Sequence, residues 1–381
     1  MRVKEGGRRI VVAGGGTGGH LFPALAVADE LRRRHPDAII AFIGGKRGLE
    51  TRLVPAAGFR LRTMPLAGLK GASLPGRVAA AAAAAVGTIR CLAWMVAWRP
   101  DLVIGVGGYA SGPAVLAARL LRVRAMVMEQ NHFPGAVNRW LAPRVDAVCV
   151  PSDAARSRLG GRGIVTGNPV RREFTSIGPP PSGEALSLLV FGGSRGARSI
   201  NRAAVGAIPS LGRISPPPRI VHQTGDEDEA SVAAAYRDYP GSHEVRAFLD
   251  DMAARLAGAD LAVCRAGATT LAELAAAGRP AVLVPYPFAA DDHQRLNAEA
   301  VEDAGAAVVV LDRDLDGSRL AATVAALAAD PARRRAMGEA ARKLARPDAA
   351  ERIADVADAL LEGGAPGAGG PSAGEEAPDV P

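Results

Sequence analysis

Short hydrophobic runs alternate along the chain with longer stretches rich in alanine, leucine and arginine. These runs are residues 10–13, 38–43, 102–106, 125–128 and 147–150 in the first half, and 186–191, 219–222, 261–264, 281–284 and 307–311 in the second. Apolar runs of this length between helical stretches are typical of buried parallel strands joined by crossover helices. The pattern therefore predicts an α/β protein with two Rossmann-like, doubly wound sheets.

The alternation pauses at a turn-rich segment, SIGPPPSG, and then resumes. Clustered proline, glycine and serine residues are typical of a linker, which we place at 176–185. We expect one domain at 1–175 and a second at 186–346, with a helix at 347–361 that rejoins the first. The glycine-, proline- and acid-rich residues 363–381 predict a disordered tail. Two such sheets are expected to face a cleft at the carboxyl ends of their strands, where ligands bind.

Charge is unevenly distributed between the halves. Residues 1–180 carry 26 basic and 10 acidic side chains, a net +16, whereas the remainder carries a net −9. A basic half suits the phosphate groups of a substrate, an anionic lipid or a nucleic acid. Aromatic residues make up only 4% of the chain, and no run interleaves them with arginine. This composition argues against nucleic acid as a partner.

Cysteine spacing and hydropathy favour a reducing cytoplasm over secretion or insertion into a membrane. Cys91, Cys149 and Cys264 are far apart and form no Cys/His cluster, which argues against a disulfide framework and a zinc site. The apolar stretch at 10–13 is too short for a signal peptide. The longest apolar segment, 78–98, is alanine-rich in its first half and contains an arginine, so we expect a helix that does not span a membrane.

Three glycine-rich segments each follow a predicted strand. They are GGGTGGH at 14–20, GVGGYASGP at 105–113 and GGSRGAR at 192–198. Glycine permits close backbone approach and a following helix offers unpaired N–H groups, so such loops can bind phosphate. For any single loop the alternative is a tight turn without a ligand. Three loops together suit a diphosphate donor in one domain and a diphosphate acceptor in the other, and the lack of a Walker A lysine argues against ATP hydrolysis.

Nine short motifs occur in a recognisable order: GGGTGGH, GGYASGP, EQN, TGNPVR, GGSRGAR, HQTG, FLDDM, CRAGATTLAE and DDHQRLNA. With these motifs, residues 8–361 resemble the bacterial peptidoglycan glycosyltransferases that add N-acetylglucosamine to lipid I, giving lipid II. The resemblance implies a glycosyltransferase B-type fold, UDP-N-acetylglucosamine as donor and inversion at the anomeric carbon. It also implies peripheral binding to the cytoplasmic leaflet of the cell membrane, where the undecaprenyl-linked acceptor resides, near other proteins of cell-wall synthesis.

The resemblance assigns contacts with UDP-N-acetylglucosamine to Thr17, Gly18, Gly19, Asn131, Arg171, Ser194, Leu249, Ala268, Thr269, Thr270, Leu271, Ala272, Glu273 and Gln294. Ser194 is implied to donate to the diphosphate, Glu273 to accept from the ribose hydroxyls, and Gln294 to bind the sugar hydroxyls. The backbone of Leu249 is implied to meet the uracil. Alternatives are a helix N-cap for Ser194, a solvated carboxylate for Glu273, and packing or solvent exposure for Leu249 and Arg171.

The acceptor diphosphate is assigned to Gly15, Gly16, Gly108, Tyr109 and Ser111. His20 is the candidate general base, since an imidazole can take a proton from the acceptor hydroxyl near neutral pH. Phosphate binding or helix capping is the alternative for His20, and Glu129 is a rival base. No cofactor and no metal are expected, because the Asp-x-Asp segments at 226–228 and 312–314 are predicted to be solvated.

Two questions stay open at this point. Three residues, Arg90, Trp94 and Trp98, are spaced four apart along a predicted helix. Either they form a stripe in a membrane interface, or the two tryptophans pack in the core. The function itself has two alternatives: another UDP-sugar enzyme of this fold, such as a glycolipid transferase or an epimerase, or a non-catalytic UDP-sugar sensor. The former would lack GGYASGP and EQN, and the latter would have no need for His20, Asn131 and Gln294 together.

Overall fold

A computed structural model describes residues 7–46, 48–64, 74–108, 110–180, 183–193, 196–289 and 292–364. The chain divides into two compact units. The first comprises residues up to Arg171 and the C-terminal segment from Arg346, and the second is Arg172–Ala345. Of the predicted tail at 363–381, all but the first two residues lie outside the described part of the chain.

The strands of the first unit are β1 (Arg9–Ala13), β2 (Ile39–Gly44), β3 (Arg60–Thr63), β4 (Leu102–Gly105), β5 (Arg124–Met128), β6 (Ala147–Val150) and β7 (Ile164–Val165). Those of the second are β8 (Ser187–Phe191), β9 (Arg219–Gln223), β10 (His243–Arg246), β11 (Leu261–Cys264), β12 (Ala281–Leu283) and β13 (Ala307–Val309).

The helices, in chain order, are α1 (Gly18–Arg34), α2 (Glu50–Ala56), α3 (Leu74–Trp98), α4 (Ser111–Leu120), α5 (Ala136–Leu141), α6 (Asp153–Arg158), α7 (Arg172–Thr175), α8 (Arg198–Leu211), α9 (Glu229–Ala235), α10 (Met252–Ala257), α11 (Ala268–Ala277), α12 (His293–Asp303), α13 (Gly317–Ala328), α14 (Pro331–Lys343) and α15 (Ala349–Leu361). Of these, α7 to α14 belong to the second unit and the others to the first.

Both sheets are parallel. Among the described residues, the first sheet has the order β3-β2-β1-β4-β5-β6-β7 and the second has the order β10-β9-β8-β11-β12-β13. In each sheet the order reverses beside the unit's first strand, between β1 and β4 and between β8 and β11. The predicted class, α/β with two doubly wound parallel sheets, is confirmed. Ligand sites in such sheets lie at the carboxyl ends of the strands at these reversal points.

The strands that the hydrophobic pattern missed all lie at sheet edges. They are β3, β7 and β10, three of the four outermost strands of the two sheets; the fourth, β13, was predicted. β3 reads RLRT and β10 reads HEVR, with exposed or half-buried side chains throughout. β3 and β10 each have a neighbour on one side only and carry charged side chains, so they show no apolar run, and β7 has only two residues. Interior β1, in contrast, buries Ile10 and Val12 on one face and Val11 and Ala13 on the other.

The C-terminal helix α15 is fastened to α1 by apolar packing and a charge network. Ile353 and Leu360 join the core beneath α1. Arg34 donates to Asp355 at 2.6 Å, to Asp358 at 3.0 Å and to Glu30 at 2.7 Å. Glu30 is 3% exposed. Hydrogen bonds from Arg33 and Arg34 hold the pKa of the Glu30 carboxyl at about 2.

Replacing Glu30 by glutamine should reduce stability in a pH-dependent way. A carboxyl whose pKa falls from 4.5 to about 2 on folding adds stability that is complete above pH 4.5 and is lost as the pH falls towards 2. The free energy of unfolding, measured in urea from pH 7 to pH 2.5, should therefore differ most between wild type and Glu30→Gln at neutral pH and converge in acid. Asp29→Asn, in an exposed pair with Arg32 on the same helix, is the control and should have little effect. A difference that is independent of pH would contradict this role.

Candidate active site

Three loops of the first unit meet at His20. His20 lies in the first turn of α1, directly after the glycine-rich loop that follows β1. A Cβ atom built on Gly107, in the loop after β4, would lie 3.1 Å from the His20 ring. The His20 Nδ1 atom lies 2.8 Å from Oε1 of Gln130, in the loop after β5. Because β1, β4 and β5 are neighbours, their carboxyl ends bring together residues that are distant in sequence.

A buried carboxylate holds the loop after β1. Glu50 is 1% exposed, and it accepts hydrogen bonds from the N–H groups of Gly16 at 3.0 Å and Gly45 at 2.7 Å. Gly15 has a positive φ of 139°, and a Cβ built there would lie 2.9 Å from the Glu50 carboxyl carbon. The motif glycines thus make room for Glu50. Since the Gly16 N–H already has an acceptor, a phosphate at this loop would have to bind through other groups.

A second buried carboxylate holds the loop after β5. Oε1 of Glu129 accepts from the N–H groups of Gln130 and Asn131 and from the Asn131 side chain, at 2.9–3.0 Å. Its Oε2 accepts from Gly135 N–H and Asn138 Nδ2, both at 2.9 Å. These contacts make Glu129 the structural centre of the loop rather than a free base. They also engage the Asn131 amide nitrogen, which leaves Oδ1 as the atom to accept a hydrogen bond from a ligand.

The other candidates of the first unit differ in exposure. Thr17 and Gly19 are exposed, Gly108 is half-buried and Gly18 is buried. Ser111 is fully buried, with its hydroxyl beside Gly105 and its N–H bonded to the Gly108 carbonyl at 3.4 Å, so this structure does not present it to a phosphate. Tyr109 lies outside the described residues.

Arg171 also belongs to the first unit. Its guanidinium lies over the Phe22 ring, 4.6 Å from the centroid. Phe22 is on α1, the helix that carries His20, so Arg171 packs against that helix.

In the second unit, one glutamine joins the glycine-rich loop after β8 to the candidate residue Leu249. Gln223 ends β9, and its Nε2 donates to the Gly193 carbonyl at 2.9 Å, in the glycine-rich loop after β8. Its Oε1 accepts from the Leu249 N–H at 2.9 Å. Gly196, in the same loop, has a positive φ of 72°, and a Cβ there would clash with the Thr224 carbonyl at 1.8 Å. Ser194 of this loop lies outside the described residues.

The loops after β11 and β12 carry the remaining donor candidates. Ala268 is the first residue of α11, and Thr269, Thr270, Leu271, Ala272 and Glu273 follow it in the first two turns. Thr269 and Glu273 are buried, at 6% and 7% exposure, so Glu273 is not the solvated carboxylate of the alternative interpretation. Gln294 lies in the first turn of α12, where its Oε1 accepts from the Tyr286 N–H at 3.0 Å.

The Asp-x-Asp segments are partly engaged within the protein. Asp312 accepts from Arg265 and from the Ser199 hydroxyl, both at 2.6 Å, and Asp228 accepts from Asn201 at 2.8 Å. The expectation that both segments are solvated is therefore wrong for these two carboxylates. In the described part of the chain, no group of three or more His, Cys, Asp or Glu side chains is placed to hold a metal ion.

His222, next to Gln223, is a core residue. It is fully buried, it pairs with Asn201 at 3.1 Å, and the Tyr236 hydroxyl lies 3.3 Å from its Nδ1. Burial lowers its pKa to about 4, so it is neutral at physiological pH.

Sequence reasoning assigned no role to Glu50, Gln130 or Gln223. The last two lie within the motifs EQN and HQTG, which was the available signal, whereas Glu50 lies in no motif.

Helix α3 presents an apolar face to solvent. Val86, Ile89 and Val96 are 45%, 64% and 60% exposed and, with exposed Ala93, form what we term the α3 stripe. The segment Ala81–Trp98 is long and apolar enough to cross a membrane by length and composition, with a mean hydropathy of 1.5 and 22% of it buried. Length and composition alone do not separate such a helix from a surface helix.

The tryptophans of α3 form a different surface. Trp94 and Trp98 stack on each other, with ring centroids 4.8 Å apart, and pack against the core. Of the two alternatives for Arg90, Trp94 and Trp98, the structure therefore supports core packing for the tryptophans. Arg62 lies over the Trp94 ring, and both line an open cavity of about 510 Å³ together with Arg90.

Comparisons with known proteins cover both units. Residues 10–150 match the glycosyltransferase family 28 N-terminal domain, and residues 187–353 match the C-terminal domain of that family. A relative from Anaeromyxobacter sp. (strain Fw109-5) is 44% identical over 93% of each chain, and one from Geotalea uraniireducens (strain Rf4) is 44% identical over 91% of this chain and 97% of its own. Both are named UDP-N-acetylglucosamine--N-acetylmuramyl-(pentapeptide) pyrophosphoryl-undecaprenol N-acetylglucosamine transferase. The crystal structure of Acinetobacter baumannii MurG matches with a TM-score of 0.72 and 31% identity, over 91% of this chain and 98% of that chain.

Replacing Glu129 by glutamine should destabilise the first unit. In the wild type, each carboxylate oxygen of Glu129 accepts from at least two N–H groups. In either orientation, the amide of the glutamine directs its own NH2 group at one of these sets of donors. Leaving such buried donors without an acceptor costs about 2–4 kcal/mol. The free energy of unfolding, measured in urea, should fall by that amount, whereas Glu362→Gln, at an exposed position after α15, should change it by less than about 0.5 kcal/mol. Equal effects of the two substitutions would contradict the role of Glu129.

Proposed function

The chain belongs to glycosyltransferase family 28, and we propose that it transfers N-acetylglucosamine from UDP-N-acetylglucosamine to lipid I, giving lipid II and UDP. Lipid I is N-acetylmuramyl-(pentapeptide) pyrophosphoryl-undecaprenol, the acceptor in the names of both relatives. The observation that carries the proposal is the match to those relatives over more than nine-tenths of the chain. The reaction is a step of peptidoglycan synthesis.

The second unit is the proposed donor site. The start of α11 supplies Thr269 and the buried Glu273, which suits the ribose hydroxyls. Because Gln223 engages the Leu249 N–H, the Leu249 carbonyl is the group available to accept from the uracil N3–H. Gln294 has its Oε1 occupied, so its NH2 group is assigned to a sugar hydroxyl.

The leaving diphosphate is assigned to the N-termini of α8 and α11. Both helices begin directly after loops at the reversal point between β8 and β11. Helix N-termini present N–H groups and a favourable dipole to negative charge as it develops on UDP. The mechanism that we propose therefore assigns no step to a metal ion.

His20 is the proposed general base in the first unit. As the C4 oxygen of N-acetylmuramic acid bonds to the anomeric carbon, its proton passes to the His20 ring and the bond from that carbon to UDP breaks. This single displacement inverts the anomeric centre without a covalent enzyme intermediate. Loops from three strands restrain the His20 ring, as general base catalysis requires. The proposed contacts of the acceptor diphosphate are in the loops around Gly15 and Gly108, and Asn131 Oδ1 is assigned to the transferred sugar.

The alternatives fit less well. The match to the named relatives covers both units, not only the proposed donor unit, which favours lipid I over the acceptor of another UDP-sugar enzyme. A sensor without catalysis would have no need for the restraint on His20. The assay described next distinguishes both alternatives from the proposed function.

Peripheral membrane binding is proposed for the α3 stripe. It is apolar and exposed, and α3 packs along α4, whose last residue, Leu120, is 61% exposed. Arg119, Arg122 and Arg124 are near Leu120 in the sequence, at the end of α4 and the start of β5, and Arg119 and Arg124 also pair with Asp146, at 2.8 and 3.7 Å. An apolar stripe beside arginines suits a leaflet that contains anionic lipid, with each basic residue adding about 1 kcal/mol. Arg62 and Arg90, which line the cavity beside Trp94, are placed to bind lipid phosphates.

Release of UDP from UDP-N-acetylglucosamine, with and without a short-chain lipid I analogue, tests the function. We expect release only with the acceptor, in buffer that contains EDTA, and a product heavier by one N-acetylhexosamine. Binding of the donor without release under these conditions would overturn the proposal and favour another acceptor or a sensor.

In the same assay, His20→Ala should lower kcat by about 10²–10⁴-fold, the usual contribution of a general base. The Kd for UDP-N-acetylglucosamine, measured by calorimetry, should stay within twofold because the proposed donor contacts lie mainly in the second unit. His243→Ala, at an exposed histidine of β10, is the matched control and should keep wild-type kcat. A kcat within threefold of wild type for His20→Ala would exclude His20 as the base.

The double substitution Ile89→Glu/Val96→Glu should weaken binding to vesicles that contain anionic lipid by at least tenfold. It removes two apolar side chains from the proposed interface and adds two repelled charges, and 1.4 kcal/mol is enough for a tenfold change. Sedimentation with vesicles measures the effect. Ala322→Glu/Ala326→Glu adds the same charges to exposed positions of α13 and should bind like wild type. Equal binding by both variants would place the membrane surface elsewhere.

A further inference from the structure

We propose that Gln130 is a positioning residue that holds His20 as the Nδ1–H tautomer, so that Nε2 carries the lone pair that takes the acceptor proton. The inference deepens the proposed function and rests on it for the role of His20. Its basis is the 2.8 Å contact between His20 Nδ1 and Gln130 Oε1. Gln130 is 2% exposed, so solvent does not compete for this contact.

The orientation of the Gln130 amide follows from its second partner. Gln130 Nε2 lies 3.3 Å from the Met128 carbonyl oxygen. A carbonyl oxygen can only accept, so the NH2 end of the amide must face Met128 and Oε1 must face the imidazole. Since Oε1 carries no proton, the hydrogen of this contact belongs to His20 Nδ1. In the neutral ring Nε2 is then unprotonated, the state that a general base requires.

The rest of the loop keeps Gln130 in place. Its backbone N–H donates to Glu129 Oε1 at 3.0 Å, and Asn138 Nδ2 bonds both Glu129 Oε2 and the Met128 carbonyl, at 2.9 and 3.0 Å. The His20 ring also packs against Gly107, where a Cβ atom would lie 3.1 Å from both Cε1 and Nδ1 of the ring. The ring therefore has little room to flip and exchange its two nitrogens.

A neutral partner suits this substrate. Catalytic histidines are often oriented by a carboxylate, which fixes the tautomer and also stabilises the imidazolium that forms. The acceptor proposed here carries a diphosphate, and a carboxylate at position 130 would add negative charge beside it. An amide oxygen fixes the tautomer without that repulsion. After proton transfer both ring nitrogens carry hydrogen, and Nδ1–H still donates to Gln130.

Nitrogen NMR of the ¹⁵N-histidine-labelled enzyme tests the tautomer directly, without reference to activity. In the neutral ring we expect the His20 proton on Nδ1. Gln130→Met has a similar size but no acceptor, and it should move the His20 proton towards Nε2, the tautomer that free imidazole side chains favour. Gln130→Glu retains an acceptor and should keep Nδ1–H. The resonances of His35 and His243 serve as internal controls. A wild-type ring protonated on Nε2, or an unchanged tautomer in Gln130→Met, would overturn the inference.

Kinetics then separate positioning from a purely structural role. Gln130→Met should lower kcat at least tenfold while KM for UDP-N-acetylglucosamine stays within twofold. Gln130→Glu should recover part of kcat and move the acidic limb of the kcat/KM profile to higher pH, because a carboxylate stabilises the imidazolium. Thermal unfolding of each variant shows whether the fold is retained. If the tautomer changes in Gln130→Met but kcat does not, His20 is not the base, and that outcome refutes the proposed mechanism while UDP release by wild type still supports the proposed reaction.

Discussion

Buried carboxylates that accept backbone N–H groups hold the loops of the first unit in place. Glu50 joins the loop after β1 to the end of β2, and Glu129 gathers the whole turn after β5. An ionised carboxylate removed from water costs several kcal/mol unless its oxygens are satisfied. Neither loop can rearrange without exposing its carboxylate or leaving it unpaired. The positions of His20 and Asn131 depend on these two constraints, since His20 directly follows the first loop and Asn131 lies in the second.

Buried carboxylates and buried amides have different places in the two units. In the first unit the carboxylates are 1% and 3% exposed, behind the backbone of the loops that they hold. The group that touches His20 is an amide, and so is Gln223, which joins the two loops of the proposed donor site. A carboxylate in the place of either amide would add negative charge near the proposed diphosphate substrates. Negative charge is thus used where backbone N–H groups neutralise it, whereas an amide contacts His20 and another joins the two loops of the proposed donor site.

The sequence indicated the fold wherever burial produces a local pattern. Interior strands such as β1 and β11 are buried on both faces, so all of their buried positions are apolar and the run is visible in the sequence. β3 and β10 have charged residues at several positions, and β7 has only two residues, so they could be recognised only once the rest of the sheet was known. The glycine-rich loops were equally visible, because backbone that approaches another chain segment closely excludes side chains at those positions. Close approaches such as that of Gly196 to the Thr224 carbonyl explain why these motifs contain glycine, whether or not a ligand is bound.

The groups that hold the site could not be found in the same way, because their partners are far apart in sequence. Gly16 and Glu50 are separated by 34 residues, Gly193 and Gln223 by 30, and His20 and Gln130 by 110. Each pair is brought together by strand order: β1 lies between β2 and β4, β5 lies beside β4, and β9 lies beside β8. In a parallel sheet the loops after neighbouring strands emerge at the same edge, so one residue from each loop can meet. A motif therefore marks where a ligand can bind, whereas the topology decides which distant side chain orients the residues that act on it.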